Sequence, residues 1–294
     1  MMLSNFTTTT HGKWILAGEH SVLRGFSALV FPVINKKMTL TYLSSESSLG
    51  ADFFGESGEG LHLLFWSVLE EGMKQLGKSL NSLNGHFSLN SNIPIGVGMG
   101  ASAALCVATA RWFEAQHFIN HAELNSFSTQ LENLFHGKSS GLDIAGVSTT
   151  HGIRFNQGNC YPLNQKWAPH WYLSSCGQIG ITSRCINQVQ SIWDVNPKMG
   201  QQIDEEMESS VQEAQEALES NTPVARQKLE TAINRAENCF QQWGLISESL
   251  QNHILKLKNA GAIAAKPTGS GGGGFVLSLW EKAVSEEELG LIAI

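Results

Sequence analysis

The stretch Pro94-Ile-Gly-Val-Gly-Met-Gly-Ala-Ser-Ala-Ala104 restricts the fold of this 294-residue chain more than any other, because glycines at 96, 98 and 100 run straight into a helix-forming segment, Leu105 to Phe118. Glycine tolerates positive φ and lets the backbone approach a ligand, and the free N–H groups and dipole at a helix start attract negative charge. The stretch therefore reads as a phosphate cradle. Three other readings compete with it. Gly98-x-Gly100-x-x-Ala103 fits the dinucleotide fingerprint in its Gly/Ala form, but the strand before it, His86 to Ile93, alternates polar and apolar residues where a central parallel strand is continuously apolar. Gly100-Ala-Ser102-Ala-Ala104 is one residue short of a hydrolase nucleophile elbow, with His151, His170 and His253 as later partners for Ser102. A plain helix start, with glycine for tight packing, is the third.

Composition narrows the partners. Net charge is −7, with much of the acid in a helix-like run from Asp204 to Glu219 that reads as a solvated helix face, so nucleic acid is not an expected partner. A chain this acidic must hold a polyanion through local devices: glycine loops, a placed Lys, a divalent metal. No run of eighteen apolar residues is present, so no membrane span is expected, and the first residues lack the basic start and apolar core of a signal peptide. The expected location is the cytoplasm. Five scattered cysteines without a Cys-x-x-Cys pair read as reduced thiols, with no zinc site.

Along the chain, residues 5 to 42 read as strands of a largely antiparallel sheet, broken by a tight turn at Gly18-Glu19-His20. Lys13 stands where an apolar strand begins, so its ammonium either snorkels to water at the rim or faces an acid inside. Residues 44 to 60 turn polar and glycine-rich, a loop. Leu61, Leu64, Phe65, Val68 and Leu69 then form the stripe of an amphipathic helix. A second helix, His121 to Phe135, carries Glu132 in its last turn, the unfavourable end of the dipole for a carboxylate, which suggests another task such as holding a metal. Gly137-Lys138-Ser139 resembles the tail of a Walker A loop, but Glu132 stands where its opening Gly should be, and the match fails. Ser140-x-x-Asp143 has the form of a capping box for a short helix through Val147. Ser102, in the first turn of its helix, is a capping hydroxyl or a magnesium ligand. Strands at 151–155 and 160–163 follow. A break near Trp167 to His170 divides the chain into domains 1–168 and 169–294. The second half reads as a strand, Trp171 to Ser174, long helices broken at Pro197 and Pro223, and then strand, glycine loop, strand from Ile263 to Trp280. Five glycines in the six positions 269–274 read as a second backbone cradle, or as a flexible hairpin.

Three separated motifs in order, Lys13-Trp-Ile-Leu-Ala-Gly-Glu-His-Ser-Val-Leu-Arg-Gly25, Pro94 to Ala104 and Lys266 to Gly274, resemble those of the GHMP kinases, which phosphorylate small-molecule alcohols with ATP. The likeness covers nearly the whole chain. Within the family it is to the branch that acts on mevalonate. Galactokinases usually carry Arg in place of Lys13, phosphomevalonate kinases tend to have Tyr in place of His20 and Asp in place of Gly274, and homoserine kinases lack the Asp that Asp143 matches. The block 137–143 and the spacing of Glu132 from Asp143 also resemble the mevalonate branch. Ala101, where the family usually has Ser, and His11, where Pro is common, are departures.

The resemblance implies an α+β fold of two domains with the active site between them. It implies an N-terminal mixed sheet with helices and a left-handed βαβ crossover, and a C-terminal ferredoxin-like α/β domain. It implies Asp143 and Lys13 as catalytic residues, facing each other as an ion pair, and ATP on Pro94, Gly96, Gly98, Gly100, Ala101, Ser102, Ala103, Gly269, Gly271 and Gly272. Mg2+ falls to Ser102 and Glu132, mevalonate to Glu19, His20, Ser183 and Thr268, and a homodimer is the family-based expectation. The alternatives are a related kinase acting on phosphomevalonate or a sugar, a serine hydrolase using Ser102, and an inactive nucleotide-binding regulator.

Overall fold

Alternating and apolar runs at the start of the chain form two long strands, β1 (Phe6–Ala17) and β2 (Ala28–Ser48). The structure, a computed structural model, describes residues 3–136, 139–285, 287 and 289–294. Between the strands the turn at 18–20 is present, but Ser21–Arg24 is a short 3-10 helix rather than extended chain. β2 runs on to Ser48, and β3 (Gly50–Phe54) forms where a loop was expected. After it come α1 (Gly58–Gln75) and β4 (Asn84–Ser91).

The chain divides into two compact units. The first comprises residues 1–13, 32–95 and 99–150, and the second comprises 14–31, 96–98 and 151–294.

In the first unit β2 pairs antiparallel with β4 from Met38↔Ser91 to Leu43↔His86, and β3 pairs parallel with β4 from Gly50↔His86 to Phe54↔Asn90. A parallel pair needs a crossover, and α1 supplies it, making β3–α1–β4 the βαβ unit. Leu61, Phe65, Val68 and Leu69 of α1 are buried as the stripe predicted, and Leu64 at its edge is half-buried. α2 (Ala101–Ala115) is buried on nearly every side, which its almost wholly apolar sequence requires of a central helix. Its Trp112 packs on Phe87 of β4 at 5.0 Å between ring centroids, and Phe87 on Tyr42 of β2 at 4.8 Å. Then come α3 (Leu124–His136), after one 3-10 turn at His121–Glu123, and α4 (Leu142–Ser148).

In the second unit the start of β2 pairs with β5 (Ile153–Asn156), which pairs with β6 (Asn159–Pro162). β7 (His170–Ser175) precedes four helices, α5 (Thr182–Val195), α6 (Pro197–Leu218), α7 (Ala225–Gln242) and α8 (Glu248–Asn259), with breaks at Pro197 and Pro223 as expected. β8 (Ala264–Thr268), β9 (Phe275–Trp280) and β10 (Ile292–Ala293) complete an antiparallel sheet of order β10-β7-β9-β8. Leu250, Ile254 and Leu257 of α8 bury themselves against Tyr172, Ala265, Val276 and Trp280 of that sheet. The acidic run on α6 is only partly the solvated face that its charge suggested. Asp204 is wholly buried, because Arg24 grips it through two N–H groups, and Glu208 accepts from Ser27 N at 2.7 Å and lies 3.3 Å from Arg154. Among the described residues no helix is long and apolar enough to cross a membrane.

Candidate active site

Lys13 is the largest departure from ordinary packing in the first unit, a lysine with 1% of its side chain exposed. Its position on β1 is set by its backbone N–H, which donates to Met99 O at 2.9 Å and so lays the strand beside the glycine loop. Gly100 covers the aliphatic stem. At φ +78 it is in the left-handed region, and a Cβ there would stand 2.9 Å from Lys13 Cγ and 3.0 Å from Val147 Cγ1, so only glycine fits. An ammonium this deep needs an acid, and it has one: Nζ lies 2.8 Å from Asp143 Oδ1, across 130 positions of sequence. Asp143 keeps 32% of its side chain exposed, which leaves its carboxylate reachable from solvent.

The capping box expected at Ser140 and Asp143 does not form. Gly141, in the left-handed region, is the N-cap of α4, and Ser140 Oγ accepts from Leu142 N at 3.2 Å. The physical reason is competition, since the buried ammonium of Lys13 is a stronger partner for the Asp143 carboxylate than a neutral backbone N–H. Gly137 and Lys138 of the same block lie outside the described residues.

Glu132, on α3, is 1% exposed. Its Oε2 accepts from Ser139 Oγ, while Oε1 is buried with no hydrogen-bond partner among the described residues. Burial first, and then the nearby charge of Asp143, push its pKa up to about 8 against the opposing pull of Ser139 and Lys13. A buried acid with one orphaned oxygen, close enough to a second carboxylate to feel its charge, is short of positive charge. A divalent cation would supply it, so the residues present fit magnesium. The described residues hold no group of three or more His, Cys, Asp or Glu suited to a metal, but magnesium needs only one or two carboxylates besides phosphate oxygens and water. The hydroxyl of Ser102, half-buried in the first turn of α2, makes no hydrogen bond among the described residues, and the Gly100 N-cap has no side-chain cap. The expected capping role of its hydroxyl is therefore absent. The N–H groups of Ala101, Ser102 and Ala103 are the open donors of a helix start, and Pro94, half-buried, ends the strand side of the loop.

The second unit holds the loop tip, residues 96–98, and the C-terminal glycine motif. Gly96 and Gly98 are exposed with φ +76 and +84, and Gly98 passes so close to Gly269 that a Cβ on it would sit 3.9 Å from Gly269 Cα and 3.5 Å from Thr268 O. Gly269, Gly271 and Gly272 also have positive φ. Thr268 is buried, and its hydroxyl donates to Ile15 O and accepts from Ile15 N, both at 2.9 Å. Ser183 is exposed in the first turn of α5. Glu19 and His20 are buried. His20 Nε2 donates to Ser270 O at 2.8 Å, and burial lowers its pKa to about 4, so the ring is neutral with Nδ1 as acceptor. Two partners escaped the sequence reading: Ser139, which fixes Glu132, and Lys266, which binds Glu19 Oε1 at 2.5 Å. A charged residue inside the apolar run Ile263 to Pro267 is the signal that pointed to the second.

Residues 64–151 match the profile of the GHMP kinases N terminal domain. A mevalonate kinase of Aeropyrum pernix is 27% identical over 291 residues, covering 95% of this chain and 89% of that protein. The fold is shared with L. major mevalonate kinase, solved in complex with R-mevalonate, at a TM-score of 0.80 and 21% identity over 96% of this chain and 91% of that one. It is also shared with Lactococcus lactis galactokinase, solved with galactose, at a TM-score of 0.71 and 15% identity over 94% and 86%. The profile match over residues 64–151, the near full-length relatives and the common architecture agree with the three motifs: the chain is similar to the GHMP kinases, and among them to the mevalonate kinases.

Proposed function

We propose that the protein transfers the γ-phosphoryl group of ATP to the C5 hydroxyl of mevalonate, in the cytoplasm. The observation that carries this reading is the ion pair of Lys13 and Asp143 set beside Met99 and Gly100 of the glycine loop, with Glu132 next to it. Phosphoryl transfer demands mainly positioning and neutralisation of charge. Open N–H groups at Ala101 to Ala103, with Pro94, Gly96, Gly98 and Gly100 shaping the loop, receive the α- and β-phosphates, and Gly269, Gly271 and Gly272 add a second backbone cradle. Asp143 accepts the hydroxyl proton as oxygen attacks phosphorus, and Lys13 orients Asp143 and neutralises charge developing on the transferred group. Glu19, His20 and Ser183 hold the alcohol, with the remaining lone pair of Thr268. Glu132 and Ser102 hold magnesium, which when bound draws charge from the phosphate oxygens.

Glu132→Gln cannot neutralise a cation as the carboxylate does. The free Mg2+ needed for half-maximal rate is expected to rise about tenfold or more at saturating ATP and mevalonate. An unchanged Mg2+ dependence would remove Glu132 from the metal site. The function is tested by ADP release from purified protein with mevalonate, phosphomevalonate, homoserine, galactose and related sugars. Turnover of mevalonate ahead of the others is expected. Turnover of a sugar alone would reject the substrate and keep the kinase. Product release from an ester without ATP, or ATP binding with no turnover of any alcohol, would reject both.

A further inference from the structure

Lys266 lies on β8 with none of its surface exposed. Its ammonium donates to Glu19 Oε1 at 2.5 Å and to the Ile15 carbonyl at 3.4 Å, and the Phe240 ring centroid is 5.2 Å away. Glu19 is equally withdrawn, at 2% exposure. Residues two apart on a strand share a face, so Thr268, the last residue of β8, stands on the same side as Lys266, and the chain just past the strand adds one backbone contact. Thr268 exchanges two hydrogen bonds with Ile15, and the Ser270 carbonyl accepts from His20. Three alternate positions of one segment thus grip the end of β1 and the turn that follows it.

That turn is not a relaxed one. His20 has φ 60, a left-handed conformation for a residue with a side chain, and Gly18 has φ +102 where a Cβ would collide with the backbone of Ala28. Such conformations persist only where the surroundings over-determine them. Stability alone is a poor reason for the charges beneath the turn, because an apolar pair of similar volume commonly serves as well or better in a buried site. What an ion pair adds is direction: a carboxylate held at one oxygen by a fixed ammonium cannot swing.

The geometry points to Lys266 as a positioning residue for the alcohol substrate, acting through Glu19 to fix the turn that presents Glu19 and His20. This rests on the assignment of those two residues to the substrate under the proposed function. Burial pulls the Lys266 pKa down, and the charge and hydrogen bond of Glu19 oppose that shift without cancelling it.

The test is a double-mutant cycle read by steady-state kinetics on the full chain. Lys266→Met is expected to raise KM for mevalonate about tenfold or more while KM for ATP stays within about threefold. In a Glu19→Gln background the same change is expected to add less than about twofold, because the residue through which Lys266 acts is already altered. Losses that are equal for both substrates and follow a lowered melting temperature indicate a structural role only and overturn the inference. So does an effect of Lys266→Met that is full-sized in the Glu19→Gln background. Where Lys266→Met does not fold, Lys266→Gln, which still offers Glu19 an N–H, takes its place in the cycle, and the same outcomes support or overturn the inference. Wild-type turnover of the alcohol panel is measured alongside. If another alcohol is the substrate, the assignment of mevalonate falls by itself and the cycle is read with that alcohol.

Discussion

Replacing Asp143 by Asn is expected to lower kcat by on the order of 10²-fold or more and to leave the affinity for ATP within about threefold. The carboxamide keeps the size of the side chain and a hydrogen-bonding oxygen for Lys13, so the 2.8 Å contact can survive as a hydrogen bond from the ammonium to an uncharged acceptor. It cannot take a proton from a hydroxyl. General-base catalysis contributes roughly 10²- to 10⁴-fold, and its loss should fall on the chemical step alone. The nucleotide is assigned to the backbone of the glycine loop, which the substitution does not touch. A loss confined to KM for ATP, with kcat near normal, would show that Asp143 only shapes the loop.

Lys13→Met carries the second large effect, also on the order of 10²-fold in kcat. Methionine fills the channel beneath Gly100 with a similar unbranched stem, so packing against Gly100 is largely kept. Asp143 loses its partner but, at 32% exposure, turns to water rather than remaining a stranded buried charge. What disappears is the cation that orients Asp143 and meets charge on the transferred phosphoryl group. Because the two residues act as one device, Lys13→Met with Asp143→Asn should cost little more than the worse single change. Losses that multiply would mean two independent roles. Circular dichroism and melting curves of each variant separate a damaged fold from a damaged step.

The same pair marks how far the sequence could be read. A lysine opening an apolar strand either reaches water or faces an acid, and the buried Nζ of Lys13 resolves that choice in favour of Asp143. The α1 stripe, the apolar α2 and the two glycine motifs were equally legible, since periodicity and positive φ leave strong traces. β3 was not. Gly50-Ala-Asp-Phe-Phe54 is short, starts on glycine and pairs along only β4, so it shows neither the alternation of a half-buried strand nor the apolar run of a central one. The capping pattern at Ser140 and Asp143 misled because local spacing cannot report a lysine 130 positions away. Asp204 misled in the same way: an acid in an acidic helix reads as solvated until Arg24 is found beside it. Glu19 with Lys266 is a third instance, visible only as a charge inside an apolar run. Non-local pairing of charges is what sequence patterns carry least, and here two of the three pairs, Lys13 with Asp143 and Glu19 with Lys266, include candidate site residues.

Transfer of phosphorus to one named oxygen, that on C5 of mevalonate, is read by proton-coupled ³¹P NMR of the product formed from ATP and mevalonate. Phosphate on the C5 oxygen is attached through a CH2 group, so a new phosphomonoester signal split into a triplet by the two C5 protons is expected, growing in step with ADP. An unsplit signal would contradict it, because that signal would come from free phosphate or from phosphate on the tertiary hydroxyl.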